Sequence, residues 1–141
     1  METNTYNHFL FYFLIIFSVV GYGQFFSYVI NSRNISKNFG YTGLFGLFFL
    51  TIYSYLSNLI FAHGLIHNSI ILLIGILLYL YYLKKKFFKK KEIFFIIVVF
   101  TIFYLSFLIY KTHDDFPYYH FQYSYYLTQS SSYIGIGSFN H

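Results

Sequence analysis

Four stretches of this chain, His8 to Ile30, Tyr41 to Ala62, Ile66 to Leu83 and Ile93 to Tyr110, contain no Asp, Glu, Lys or Arg, and none is shorter than 18 residues. At about 1.5 Å of rise per residue the shortest reaches roughly 27 Å as a helix, against a hydrocarbon core about 30 Å thick. Inside that core no water is available to backbone N–H and C=O groups, so each run must bond to itself as a helix. The sequence therefore predicts an all-α, polytopic membrane protein. Its spans lie at about 8–30, 41–62, 66–83 and 93–110, and an outer segment follows at 111–141. The charged share, 9%, fits this and no ordinary soluble domain, in which about a quarter of residues are charged.

The first run is expected to persist as a helix rather than to be cleaved as a leader: Met1 to Asn7 hold Glu2 and no basic residue, and no small-residue cleavage pattern closes the run. With no cysteine in the chain, disulfides, thiolate metal sites and thiol catalysis are excluded. The abundance of Phe, Tyr, Ile, Asn and Lys reads as the imprint of an AT-rich genome, which lowers the weight of any single aromatic residue.

Basic residues set the expected orientation, because Lys and Arg in short loops stay on the cytoplasmic side. Arg33, Lys37, Lys84, Lys85, Lys86, Lys89, Lys90 and Lys91 fall in the first and third loops, and only Lys111 falls on the opposite side. This puts the amino terminus, the turn near residues 62–65 and residues 111–141 outside, in a bacterial cytoplasmic membrane. All six histidines then share the outer face. The run KKKFFKKK, without a nucleic-acid-binding fold around it, reads as an anchor among anionic headgroups. The bilayer is the expected partner, and nucleic acid is not.

Within the spans, Gly40, Gly43 and Gly46 are spaced by three and predict one thin flank open to a neighbouring backbone. Ser54 and Asn58, four apart, share a face, and Gln24 is the one amide of the first span; these suit interhelical hydrogen bonds. His63 and His67 have the i, i+4 spacing of two metal-ligating imidazoles on a helix. Gly64 between them weakens that reading in favour of polar residues at an interface.

The outer octapeptide His113-Asp114-Asp115-Phe116-Pro117-Tyr118-Tyr119-His120 holds two of the four acidic residues. Carboxylates next to a span are costly to place, which makes them a candidate site. Three roles stay open for Asp114 and Asp115. They can cap a helix, ligate a hard cation such as Mg²⁺ or Mn²⁺ with help from His113, or act as a general base. Pro117 suits a first turn, so a short interfacial helix is expected to run to about Gln129, with Phe116, His120, Tyr123 and Leu127 on one stripe. Ser130 to Ser132 and Gly135-Ile136-Gly137 read as loop, and the chain is expected to continue in a longer protein.

The pattern Asp115-x-x-x-Tyr119-His120, followed by a glycine-rich stretch and Asn140-His141, resembles the first catalytic outer loop of membrane glycosyltransferases of the C-type fold. It is also similar to poorly characterised bacterial multi-pass proteins placed near them. The resemblance spans about residues 110–141. It implies an enzyme that passes a sugar from a polyprenyl-phosphate donor to an acceptor on the outer side. Asp115 and then Asp114 would be the catalytic carboxylates, a divalent cation would assist, and Tyr119 and His120 would line the substrate site. The acidic loop of that family often follows the first span, whereas here four runs precede it. The competing reading is a non-enzymatic membrane subunit or transporter fragment, whose outer His and Asp residues bind a metal or shape an interface.

Overall fold

The computed structural model describes residues 5–31, 38–84, 90–109 and 116–132. These form α1 (Thr5–Val29), α2 (Phe39–Asn58), α3 (Leu65–Lys84), α4 (Lys90–Phe107) and, after a π turn at Phe116–His120, α5 (Phe121–Gln129). No strand occurs among the described residues. Three helices, α1, α2 and α3, are long and apolar enough to cross a membrane. Helix α4 is comparably long, with 18 residues, but opens on Lys90, Lys91 and Glu92. The second predicted run ends earlier as a helix than as an uncharged stretch, at Asn58. There Ile60 and Phe61 turn back through their N–H groups onto the Ser57 carbonyl, at 3.0 and 3.1 Å.

Helix boundaries follow from local chemistry. Asn38 starts α2: its Oδ1 accepts the Tyr41 N–H at 3.2 Å, one of the donors a helix start leaves without an intrahelical partner. Asn31 follows the last turn of α1 with φ 52°, a left-handed conformation that asparagine tolerates at helix ends. Pro117 stands in the π turn at the head of the last helical segment, where a missing N–H costs nothing.

The chain divides into two compact units, Met1–Leu50 with Leu72–Tyr110, and Thr51–Ile71 with Lys111–His141. In the first, α1 is the central helix. Five consecutive residues, Val20 to Gln24, are buried, and at 3.6 residues per turn that leaves no side of the helix exposed. Glycines permit this. A Cβ on Gly23 would collide with the Thr42 carbonyl of α2, one on Gly46 with the Val19 carbonyl of α1, and one on Gly21 with the Gly75 carbonyl of α3. Where helices meet in lipid, such small residues let backbones approach and gain van der Waals contact. Aromatic rings fill the rest: Phe17 stacks on Tyr79 of α3 at 4.8 Å, Tyr22 on Phe49 of α2 at 5.6 Å, and Phe9 meets Tyr104 of α4 edge-on at 5.0 Å.

The expected flank of Gly40, Gly43 and Gly46 is corrected by this packing. Only Gly46 meets another helix; a Cβ on Gly43 meets nothing within 4 Å, and one on Gly40 meets only Asn38 Oδ1, at 3.3 Å. A step of three residues falls about 60° short of a full turn, so Gly40 and Gly46 stand about 120° apart around α2 and cannot face one neighbour together. The glycine that does pair with Gly46 is Gly23 of α1.

Candidate functional site: a two-histidine cluster

The second unit is built on the turn between α2 and α3. Helix α5 ends against it, and the carbonyls of a last helical turn need donors from outside the helix. The Leu127 carbonyl accepts the His63 N–H at 2.8 Å and Asn58 Nδ2 at 3.3 Å. Ser132 then donates its N–H to the Asn58 carbonyl at 2.8 Å and to Asn58 Oδ1 at 3.1 Å, and its hydroxyl also bonds Oδ1. Asn58 is thereby 4% exposed and holds the last described residues to the turn.

Beside Asn58, His63 and His67 stack with ring centroids 4.4 Å apart and planes 17° from parallel. His63 Nε2 is 2.9 Å from Ser57 Oγ and its Nδ1 3.4 Å from Ser54 Oγ; His67 Nε2 is 2.9 Å from the Tyr53 hydroxyl and its Nδ1 3.2 Å from Asn68 Oδ1. The partners fix both tautomers. Ser57 spends its proton on the Tyr53 carbonyl at 2.7 Å, so His63 Nε2 is the donor in that pair. Asn68 donates Nδ2 to the His63 carbonyl at 2.8 Å, which leaves its Oδ1 to accept from His67 Nδ1–H. His67 Nε2 then accepts from Tyr53. All four ring nitrogens are thereby engaged.

Burial lowers the pKa of His63, and the facing His67 lowers it further. The sign follows from linkage: the unfolded chain takes up the proton first. Stability from this group is fully present above the ordinary histidine value of about 6.5 and is lost as pH falls from there through the lowered folded value. Between pH 7.5 and 5, the detergent-solubilised protein is expected to lose more thermal stability than a His63→Gln variant, which cannot titrate at that position. Equal losses in the two proteins would remove His63 from the pH response.

The rings lie parallel with every nitrogen already bonded, and no group of three His, Cys, Asp or Glu able to hold an ion occurs among the described residues. The expected catalytic pair Asp114 and Asp115, and His113 with them, lie outside the described residues. Tyr119, 63% exposed, and His120, also exposed, sit on the π turn that begins one residue after Asp115. The expected stripe of Phe116, His120, Tyr123 and Leu127 is corrected by that turn. Its extra residue rotates the face, so the rings that meet are Phe116 with Phe121 and Phe121 with Tyr125, spaced five and then four.

Ser54 and Asn58 share a face as expected but part company in their bonds, Ser54 to His63 and Asn58 to Leu127 and Ser132. The pairing of Tyr53 with His67 was missed from sequence. Its signal is the turn between α2 and α3, since polar residues on the last two turns of one helix and the first turn of the next come close when the connection is short. Comparison with protein-family models, curated proteins and solved structures finds no match to this chain.

Proposed function

We propose that this chain is a multi-pass membrane protein of the glycosyltransferase type, passing a sugar from a polyprenyl-phosphate donor to an acceptor on the non-cytoplasmic side. In this reading α4 is a fourth span, because its three charges precede an uncharged run from Ile93 to Tyr110. Asp115 takes the proton of the acceptor hydroxyl as its oxygen bonds to the sugar's anomeric carbon and the polyprenyl phosphate departs. Asp114 assists, and Tyr119 and His120 contact the donor phosphate or the acceptor. Two adjacent carboxylates are a donor set suited to Mg²⁺ or Mn²⁺, which would offset the charge of the phosphate. The observation that carries the reading is the π turn: such turns are frequent at functional sites, and this one, which begins one residue beyond the Asp114-Asp115 pair, holds Tyr119 and His120 exposed. The test is transfer of labelled sugar from a polyprenyl-phosphate donor by membranes with and without the protein.

A second reading is favoured by the histidine cluster, which spends its hydrogen-bonding capacity internally. On it the protein is a non-enzymatic membrane subunit and the cluster only closes an interface. Absence of any protein-dependent sugar transfer selects this reading.

Both readings place Tyr118 outside and Phe87 inside. A single cysteine at Tyr118, 68% exposed, is expected to react in intact cells with a thiol reagent that cannot cross the membrane, whereas one at Phe87 reacts only after lysis. Labelling of the Phe87 site from outside would invert the topology.

A further inference from the structure

We propose that the stacked pair His63 and His67 is an acid-operated latch, which holds α5 and Ser130 to Ser132 on the α2–α3 turn at neutral pH and frees them when the pair takes up a proton. The device lies wholly in the second unit and is independent of sugar transfer.

Little else holds this segment down. Helix α5 has nine residues, none of them buried, and a helix shorter than about 12 residues is marginal in water by itself. Among the described residues, the hydrogen bonds that tie it to the turn end on Asn58 and His63: the Leu127 carbonyl takes the His63 N–H and Asn58 Nδ2, and Ser132 bonds Asn58. The Thr128 carbonyl lies over Gly64, 3.7 Å from where a Cβ on that glycine would stand. The end of α5 therefore covers the turn on both sides of the His63 backbone, and one of its two anchors can titrate.

Charge on the pair works against this closure. His63 is 8% exposed and its ring faces that of His67 at 4.4 Å, so a proton on His63 is poorly hydrated and one on each ring sets two cations face to face. The elements around the pair bring no countercharge. Helix α2 supplies the hydroxyls of Tyr53, Ser54 and Ser57, the turn supplies the Phe61 ring at 5.1 Å from His67, and α3 supplies the Asn68 amide. Helix α5 adds Tyr126, whose hydroxyl donates to the Ser131 carbonyl at 3.4 Å, and the π turn adds the exposed His120. The described residues of this unit include no Asp, Glu, Lys or Arg. Water relieves a protonated ring, and it reaches His63 when the end of α5 lifts away. His63 couples the two events, because its ring carries the charge and its backbone N–H carries the Leu127 bond.

The closed latch resists the proton, in keeping with the lowered pKa of His63, and the open one takes it at about the ordinary histidine value of 6.5. Release therefore begins below that value and grows as pH falls. For one proton bound only by the open form, the open population rises at most about 30-fold between pH 7.5 and 5.

Hydrogen exchange of the full chain in nanodiscs, read by mass spectrometry and corrected for the intrinsic pH dependence of amide exchange, tests the latch. In wild type the protection of α5 and of the His63 N–H is expected to fall about tenfold or more from pH 7.5 to 5, with α1 far better protected at both. His63→Gln keeps a donor for Ser57 and cannot titrate, so its α5 is expected to be equally protected at the two pH values. His120→Gln is expected to show the wild-type fall. Unchanged α5 protection in wild type overturns the proposal, as does an equal fall in His63→Gln or a lost fall in His120→Gln. Protection of α1 sinking to the level of α5 at pH 5 also overturns it, since the whole chain then unfolds and no segment is released by itself. Should His63→Gln fail to fold, His67→Gln decides, because it keeps an oxygen for the Tyr53 hydroxyl and removes the facing ring. Its fall is expected to be smaller than that of wild type, and an undiminished fall counts against the latch.

Discussion

Gly46→Ala is expected to destabilise the bundle severely, by about 3 kcal/mol, while Gly43→Ala one turn earlier leaves it unchanged or slightly more stable. The added methyl at Gly46 would overlap the Val19 carbonyl oxygen and stand 2.9 Å from its carbon and 3.1 Å from the Gly23 nitrogen. All three atoms are backbone of α1, so no side chain can rotate away and the helices must separate, which places the cost at the upper end of overpacking. At Gly43 the methyl meets nothing within 4 Å, and alanine is the better helix former by about 1 kcal/mol. Gly23→Ala should behave like Gly46→Ala, because it meets the Thr42 carbonyl from the other side. Unfolding in mixed micelles reads the difference; equal melting of the Gly46 and Gly43 variants would mean that α1 and α2 are not in backbone contact.

Sugar transfer is expected to fall about 100-fold or more in Asp115→Asn, the loss that accompanies removal of a general base. Asn keeps the shape and a capping oxygen, so expression and insertion should match wild type. Asp114→Asn should cost less. If the pair only caps the helix that follows, both Asn variants stay active and a loss appears only with Ala, as lowered stability. Equal activity of wild type and Asp115→Asn would end the catalytic assignment, even if sugar transfer itself were demonstrated.

The helices were legible because uncharged length alone dictates them in a bilayer: α1 and α3 lie within a few residues of their predicted runs. The end of α2 was not, since it depends on bonds from Asn58 to residues 69 and 74 positions away, and no local pattern encodes these. The glycine reading failed for a geometric reason, treating three-residue steps as one face. Glycines 21, 23 and 75 were as visible as 40, 43 and 46, yet only knowledge of which helix lies at the centre distinguishes them. The histidine pair was legible as a spacing. Its chemistry was not, because the hydroxyls and amide that occupy its nitrogens come from the end of α2 and from Asn68.

The bonds from Asn58 also bear on biosynthesis. Leu127 is made 69 residues after Asn58, and at about 5–20 residues per second a ribosome needs roughly 3 to 14 s to cover that distance. From the completion of α3 at Lys84 until Leu127 is made, the α2–α3 hairpin has its amide and the His63 N–H unclaimed by the segment that will bind them. Water must serve as the temporary partner. On the proposed topology the hairpin tip therefore has to reach the aqueous boundary while the rest of the chain is still being made, and a delay in its translocation would leave these groups stranded in hydrocarbon.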